Sequence, residues 1–214
     1  MNTDTEKLLT DEEIEILKEI MNIAFGKSAA DLADVIDTHV VLSVPFIKIM
    51  QVTGLPPYFR EHVQGHKKIS IVEQRFWGKF KGDALLVFSS GAGRSLIHLL
   101  QQDRGGIFES EPVEILERES LMEVGNILIG ACVGKLAEVL KDVVTYTPPM
   151  VVVEKDYDEA IAESHFDPNN TAIVLKTDFR FEKGGVSGFL FLVTSNESVS
   201  WLKDALRIFI EQYE

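Results

Sequence analysis

The chain has 214 residues, of which 45% are hydrophobic, and its 34 acidic and 21 basic side chains give a formal net charge of −13. This length supports one well-buried core, or two half-domains that share a sheet. The negative charge repels nucleic acid and anionic lipid over most of the surface, which argues against nucleic-acid and membrane partners.

Cysteine usage and hydropathy predict a cytoplasmic location. The lone cysteine, Cys132, cannot form an intramolecular disulfide, as is typical of a reducing compartment. Residues 1–10 are polar and lack the apolar core of a signal peptide. No run approaches about 18 consecutive apolar residues, so neither export by a signal peptide nor a membrane span is expected.

The first half of the chain predicts a long helix, two strand pairs and a shorter helix. Apolar residues recur at three- and four-residue steps in the first segment, with Thr10 as a candidate N-cap and Glu13 three residues later. Alternating β-branched and aromatic residues predict the strands, which are broken at Pro45 and turn at Gly78. The predicted bounds are helix 11–37, strands 40–44, 46–52, 69–76 and 80–89, and helix 93–102.

The second half repeats this plan after a connection at 104–106. Its predicted elements are helix 111–141, strands 143–146, 150–154, 171–181 and 186–194, and helix 197–211, with 156–170 as an exposed loop. Hairpins join neighbouring strands without crossover helices, so the order predicts an α+β fold with a mostly antiparallel sheet, two long helices and two further helices. We predict one domain over 1–214, with pseudo-two-fold half-repeats over about 8–104 and about 105–214.

One constant offset of 104 residues aligns the two long helices. Chance resemblance rarely keeps its spacing over a whole element, so the offset indicates an internal duplication. The matched pairs are Glu15 and Glu119, Glu19 and Glu123, Asn22 and Asn126, Gly26 and Gly130, Leu32 and Leu136, Ala33 and Ala137, and Pro45 and Pro149.

In each long helix a Glu, an Asn and a Gly at i, i+3 and i+7 project to one side. That side is polar, which leaves Glu19 and Asn22 towards solvent or a partner, and Gly26 permits close backbone approach. The apolar stripe, expected to face the sheet, consists of Leu17, Ile20, Met21 and Ala24. The spacing therefore predicts a docking face that carries a carboxylate and an amide.

Each of these residues also has a purely structural interpretation. A solvent-facing Glu on a helix is ordinary, and helix packing could account for Gly26 and Gly130. Asn and Gly both lower helix propensity, by about 0.5 to 1 kcal/mol relative to Ala. Their recurrence in mid-helix in both copies nevertheless favours a functional role.

With these residues the chain resembles the CheC/CheX/FliY family of chemotaxis phosphatases. The signature of that family is Asp or Ser, three residues, Glu, two residues, Asn, twenty-two residues and Pro. The residues that keep this spacing are Glu19, Asn22 and Pro45 in the first half and Glu123, Asn126 and Pro149 in the second. Glu15 and Glu119 stand where the signature has Asp or Ser. Two copies of the motif match the CheC branch.

The resemblance implies a phosphatase that acts on the aspartyl phosphate of a CheY-like receiver domain. It implies that Glu19 and Glu123 pair with a receiver Lys, and that Asn22 or Asn126 orients the attacking water. A neutral amide can accept a hydrogen bond from water without adding negative charge near the phosphoryl group. The receiver supplies Mg²⁺, so this chain is expected to bind no cofactor and no metal of its own.

The resemblance also implies a CheD-like receptor deamidase as a possible further partner. A fused pseudo-symmetric pair makes a dimer unnecessary, so we expect a monomer. The rival interpretation is a non-catalytic receiver-binding or chemotaxis adaptor module. A small-molecule enzyme would need convergent titratable groups in a deep pocket, for which the sequence offers no coherent set.

Three weaker signals are interpreted as structural. Gly91-Ala92-Gly93 follows a strand and opens a helix but lacks the third glycine of a phosphate-binding loop. His62 and His66 are expected in a loop beside Pro56 and Pro57, and no carboxylate cluster completes a metal set. Cys132 aligns with Ser28 and has no evident His partner, so it is expected to be packed.

Overall fold

The computed structural model of the chain describes residues 8–36, 38–62, 68–104, 112–156, 171–195 and 198–211. The helices are α1 (Asp11–Ile36), α2 (Leu55–His62), α3 (Ala92–Arg104), α4 (Val113–Val139) and α5 (Val199–Ile210), and a 3₁₀ turn (Val52–Gly54) precedes α2. The strands are β1 (Val40–Leu42), β2 (Phe46–Gln51), β3 (Lys68–Trp77), β4 (Gly82–Ser89), β5 (Thr145–Tyr146), β6 (Met150–Asp156), β7 (Thr171–Phe181) and β8 (Ser187–Ser195). The α+β class with an antiparallel sheet is confirmed.

The sheet exchanges strands between the two halves of the chain. Its order is β1-β7-β8-β4-β3-β5, with β2 also paired to β7 and β6 to β3, and all these pairs are antiparallel. The central pair is β4 and β8, where Leu85 lies opposite Phe191. Since β1 and β2 pair with a second-half strand and β5 and β6 with a first-half strand, neither half completes its own part of the sheet.

The pairing registers recur on the two sides of this central pair. Leu42 opposite Phe179 matches Tyr146 opposite Phe76, and Phe46 opposite Lys176 matches Met150 opposite Glu73. Phe179 follows Phe76 by 103 residues, so the offset of 104 between the long helices changes by one inside the sheet. In this register Gln74 of β3 corresponds to Thr177 of β7. The half-repeat boundaries themselves stay a prediction.

The helices α1 and α4 cover one face of the sheet and supply most of its core. The predicted stripe of α1 (Leu17, Ile20, Met21, Ala24) is fully buried, as is the inner side of α4 with Leu121, Val124 and Leu128. Burial of such a side chain stabilises the fold by roughly 1.5–3 kcal/mol. The predicted cap of α1 is also present, because Thr10 N donates to Glu13 Oε2 at 2.7 Å and Glu13 N to Thr10 Oγ1 at 3.1 Å.

Helix α4 is long and apolar enough to cross a bilayer, the one such helix in the parts of the chain that the structure describes. Its buried apolar residues, however, pack in the core against the sheet and α1. Its outer side carries the charged residues Glu114, Arg118 and Glu119 together with the exposed apolar residues Val113, Ile115 and Met122. A buried apolar inner side is what the core helix of a folded domain requires.

Helix α2 covers part of the opposite face of the sheet, and the expectation of a loop there was wrong. Pro56 and Pro57 lie in its first turn. Backbone N–H groups in a first turn have no intrahelical acceptor, so proline costs no helix hydrogen bond there. Tyr58 and Phe59 are buried, and the ring centroids of Phe59 and Phe191 lie 4.6 Å apart. His66 is outside the described residues.

Candidate functional site

The first motif lies on the outer side of α1. Glu15 and Glu19 are exposed and Asn22 is partly exposed, while Leu17 and Met21 point into the core. Glu15 Oε1 forms an ion pair with Lys18 Nζ at 2.6 Å. The helix therefore presents one carboxylate and one amide a single turn apart on its accessible side.

The second motif lies on the outer side of α4, where Glu119 and Asn126 are exposed and Glu123 is partly exposed. Asn126 Oδ1 accepts a hydrogen bond from Gln74 Nε2 at 3.0 Å. The same nitrogen donates to Thr147 O at 2.8 Å. The Asn126 amide is thus accessible at the surface and attached to the sheet by one side chain.

A close helix–sheet contact brings Asn126 to Gln74. A Cβ atom added at Gly125 would lie 2.6 Å from Val72 Cγ1, so α4 approaches β3 more closely than any larger residue would permit. The equivalent position of α1 is Met21, whose side chain is fully buried. Gln74 was not among the residues predicted from the sequence. The signal available was a polar residue between Val72 and Phe76, on the side of the strand that faces the core.

The first motif has no counterpart of this attachment. Thr177, which corresponds to Gln74, has a shorter side chain, and its hydroxyl donates to Ser43 O at 2.6 Å. Ser43 corresponds to Thr147 by the offset of 104 residues. Within the described part of the chain the Asn22 amide has no hydrogen-bond partner. The two faces therefore share residue types and differ in how the amide is held.

Two of the predicted motif positions lie in open space. A Cβ atom at Gly26 or at Gly130 would meet nothing within 4 Å, so internal packing does not require glycine at either place. The interpretation of these glycines as packing residues is thereby removed. Open glycines on an accessible helix face leave room for the backbone of another molecule to approach.

The motif prolines lie away from the helix faces. Pro45 is buried directly before β2, and Pro149 is partly buried directly before β6. A proline cannot donate to a strand ladder, so each separates the short strand that precedes it from the longer one that follows. Their positions give them a role in the sheet.

The thiol of Cys132 is packed, as expected. It is buried where α1 and α4 cross, next to Ser28, whose Oγ donates to Ala131 O and Ala24 O at 2.9 Å each. Burial raises the pKa of Cys132 to about 12, against a smaller opposing effect of the Ser28 hydrogen bond. A thiol held protonated in this way is a poor nucleophile.

A carboxylate of the protein occupies the glycine segment at the start of α3. Gly91 N donates to Glu154 Oε1 at 2.7 Å, and Ser90 Oγ donates to Glu154 Oε2 at 2.8 Å. The Glu154 carboxylate therefore already takes the place at this helix terminus that a bound phosphate would need. This contact removes the interpretation of the segment as a phosphate-binding loop. Across the described residues no group of three or more His, Cys, Asp or Glu is arranged to hold a metal ion.

Comparison with known proteins relates this chain to CheC by sequence and to FliY and FliM by fold. No protein-family model matches the sequence. The CheY-P phosphatase CheC of Bacillus subtilis is 24% identical over 133 residues, which make up 62% of this chain and 62% of CheC. The match therefore spans less than two thirds of the length of that relative.

Two solved structures share the fold. FliY of Thermotoga maritima superimposes with a TM-score of 0.69 at 20% identity, over 94% of this chain and 98% of that one. The middle domain of FliM from H. pylori has a TM-score of 0.57 at 11% identity, over 92% of this chain and 99% of that one. The fold is thus one that this chain shares with FliY and with the FliM middle domain.

The strand-exchanged sheet and the two helices that cover it have the fold of FliY. The relative in sequence is CheC and the relative in fold is FliY, so the resemblance to the CheC/CheX/FliY family found in the motifs is confirmed.

Proposed function

We propose that this protein hydrolyses the aspartyl phosphate of a CheY-like receiver domain in chemotaxis signalling. The observation that carries the proposal is the pair of accessible faces on α1 and α4, each with a Glu and an Asn one helical turn apart. The likeness to a protein named as a CheY-P phosphatase supports it. The open positions at Gly26 and Gly130 suit a surface that another protein approaches closely.

The proposed chemistry is mainly positioning. Water attacks phosphorus in line with the bond to the aspartyl oxygen, that bond breaks, and the proton of the water passes to phosphate or solvent. The Mg²⁺ ion of the receiver neutralises charge on the phosphoryl oxygens. A pre-placed water is worth several kcal/mol of the barrier, since orienting it is otherwise an entropic cost.

In this mechanism Asn126 holds the water. Its Oδ1 has two lone pairs, of which Gln74 uses one, so the other can accept a hydrogen bond from the water. The Nδ2 group can then donate to a phosphoryl oxygen. A carboxylate in the same place would repel the phosphoryl group, which explains why the motif has an amide here.

Glu19 and Glu123 have a different role in the proposal. A carboxylate on an exposed helix side can form a charge-assisted hydrogen bond with a cationic side chain of the docked receiver. Glu123 precedes Asn126 by one turn, so anchoring of the carboxylate would place the amide against the phosphoryl group. The net charge of −13 favours a docking partner with basic groups at this contact.

The direct test is the decay of a phosphorylated receiver with and without the protein. The wild-type chain should accelerate the decay, and the double variant Asn22→Ala with Asn126→Ala should return it to the intrinsic rate. Glu138→Ala, an exposed change near the end of α4, is the matched control and should keep full activity. Undiminished hydrolysis by the double Asn variant would end the proposal.

Binding separates the roles of the two residue types. Asn126→Ala should retain its affinity for a receiver activated with beryllium fluoride, since the amide acts on the reacting water. Glu123→Ala should weaken both affinity and rate, because it removes an anchoring charge. Equal loss of binding in both variants would assign the amide to docking instead.

A non-catalytic receiver-binding or chemotaxis adaptor module is the second candidate. The likeness to the FliM middle domain, at a TM-score of 0.57, is compatible with it, because a shared fold does not by itself imply catalysis. Receiver binding without faster decay would establish the adaptor role.

A monomeric state, a cytoplasmic location and a CheD-like deamidase partner also belong to the proposal. Size-exclusion chromatography would test the monomeric state, and a pull-down with a deamidase would test that partner.

A further inference from the structure

We infer that Gln74 is a positioning residue that fixes the orientation of the Asn126 amide, an inference that rests on the proposed phosphatase function. Gln74 Nε2 lies 3.0 Å from Asn126 Oδ1 and 2.8 Å from Thr147 O. The two partners are 52 and 73 residues away in sequence. One buried side chain therefore links the second motif to the sheet.

The direction of these hydrogen bonds sets the orientation of both amides. Thr147 O can only accept, so it requires Gln74 to turn its nitrogen towards it. That same nitrogen faces Asn126, which must therefore present its oxygen inward. A flipped Asn126 would place its Nδ2 donors against the Nε2 donors of Gln74. The outward end of Asn126 is thus Nδ2, together with the free lone pair of Oδ1.

The position of Gln74 is an unfavourable one for a purely structural residue. Only 3% of its surface is exposed, and its neighbours on the same side of β3, Val72 and Phe76, are fully buried. Its Oε1 is buried without a hydrogen-bond partner in the described part of the chain. A buried carbonyl left unpaired opposes folding, so an apolar residue would serve the core better. The Gln74 amide orients Asn126, which an apolar side chain at this position could not do.

The other half of the chain supplies an internal comparison. Thr177 takes the place of Gln74, and among the described residues its hydroxyl bonds only the backbone oxygen and the hydroxyl of Ser43. Within the same residues no side chain of the sheet holds the Asn22 amide. The pre-oriented amide is therefore the one on the α4 face.

The experiment uses the Asn22→Ala background, in which only the α4 face can act. Gln74→Met keeps the volume and removes the amide, and we expect kcat for phospho-receiver hydrolysis to fall about tenfold, as for loss of a fixed orientation, with KM changed less than about twofold. Thr177→Val is the matched control in the other half and should change neither constant. An unchanged kcat in the Gln74→Met variant would overturn the inference.

A double-mutant cycle excludes an indirect effect through folding. In a chain with Asn22 intact and Asn126→Ala, the Gln74→Met change should have no further effect on the rate, because the residue that it positions is absent. A further loss would show that Gln74 acts through general structure, and would also overturn the inference.

Gln74→Thr is the second variant in case Gln74→Met does not fold. It copies the residue at the corresponding position of the other half, Thr177, whose hydroxyl donates to Ser43 O. A threonine side chain is shorter than that of Gln74 and lacks the amide that contacts Asn126, so kcat should again fall.

A readout without catalysis separates this inference from the proposed function. The order parameter of the Asn126 side-chain ¹⁵Nδ2 group should be high in the wild-type protein and should drop in Gln74→Met. If the wild-type chain does not hydrolyse phospho-receiver but shows this change, the phosphatase proposal fails and the positioning by Gln74 stands. A mobile Asn126 amide in the wild-type protein refutes the positioning whatever the activity.

Discussion

The hydroxyl of Thr177 donates to Ser43 O at 2.6 Å, in the place where Gln74 donates to Thr147 O in the other half. The backbone contact is thus present twice, and the extension to the motif amide is present once. The difference in side-chain length between Gln74 and Thr177, at this one position, is enough to make the two faces differ in how the motif amide is held. The two motif copies are therefore unequal in structure although their spacing is the same.

This inequality predicts unequal effects of the two Asn substitutions. Asn126→Ala should lower the rate of phospho-receiver hydrolysis about tenfold, whereas Asn22→Ala should lower it by only about a tenth, since the two faces act in parallel and Asn126 is the pre-oriented amide. Initial rates at saturating phospho-receiver measure both. A larger loss in Asn22→Ala would place the main activity on α1 and contradict the prediction.

The open glycines predict a separation of stability from function. Gly26→Ala and Gly130→Ala should each raise the free energy of unfolding by about 0.5–1 kcal/mol, because Ala is the better helix former and its Cβ meets nothing. Urea denaturation measures this gain. The same variants should hydrolyse phospho-receiver more slowly, because the added methyl group lies on the docking side.

Gly125→Ala is the matched control in the same helix. Its Cβ would lie 2.6 Å from Val72 Cγ1, so the helix must move away from the sheet, at a cost of roughly 1–3 kcal/mol. A gain in stability at Gly125, or a loss at Gly26 and Gly130, would contradict this account of the helix surface.

The carboxylate at the start of α3 predicts a stability effect at residues outside the motifs. Glu154→Ala should lower the free energy of unfolding by about 1–2 kcal/mol, because Gly91 N and Ser90 Oγ lose their acceptor. Glu154→Gln keeps an acceptor oxygen and should lose less. Thermal and urea unfolding of the two variants would show the order, and equal stability of wild-type and Glu154→Ala would contradict it.

The buried thiol predicts a loss of stability in alkali. Burial raises the pKa of Cys132 to about 12, whereas an unfolded thiol has a pKa of about 8.5. In that pH window the unfolded chain releases a proton that the folded chain retains, so stability should fall from pH of about 8.5 towards 12. Unfolding of Cys132→Ala measured over the same pH range should show a smaller fall.

Thiol labelling checks the same burial by a different route. At neutral pH the folded protein should not react with an aromatic disulfide reagent, and the chain in denaturant should react with one equivalent. Rapid labelling of the folded protein would show that the crossing of α1 and α4 opens readily.

Several features of this protein follow from local sequence alone. The 3.6-residue period of Leu17, Ile20 and Ala24 fixes which side of α1 is buried, and the Thr10 and Glu13 pair fixes where that helix begins. Alternation of residue types predicts the strands of the two hairpins. The motif spacing carries the resemblance to the CheC/CheX/FliY family, and it also determines which side chains share a face of each helix.

The contacts between these helices and strands were decided only by the tertiary structure. Helix α2 forms despite its two prolines because Tyr58 and Phe59 can be buried against the sheet. The contact of Gln74 with Asn126 depends on the strand exchange, on the register of β3 and on the close approach at Gly125, none of which is encoded within one segment. Periodicity tells which way a side chain points along its own element, whereas the distance between two elements depends on the packing of all the residues between them.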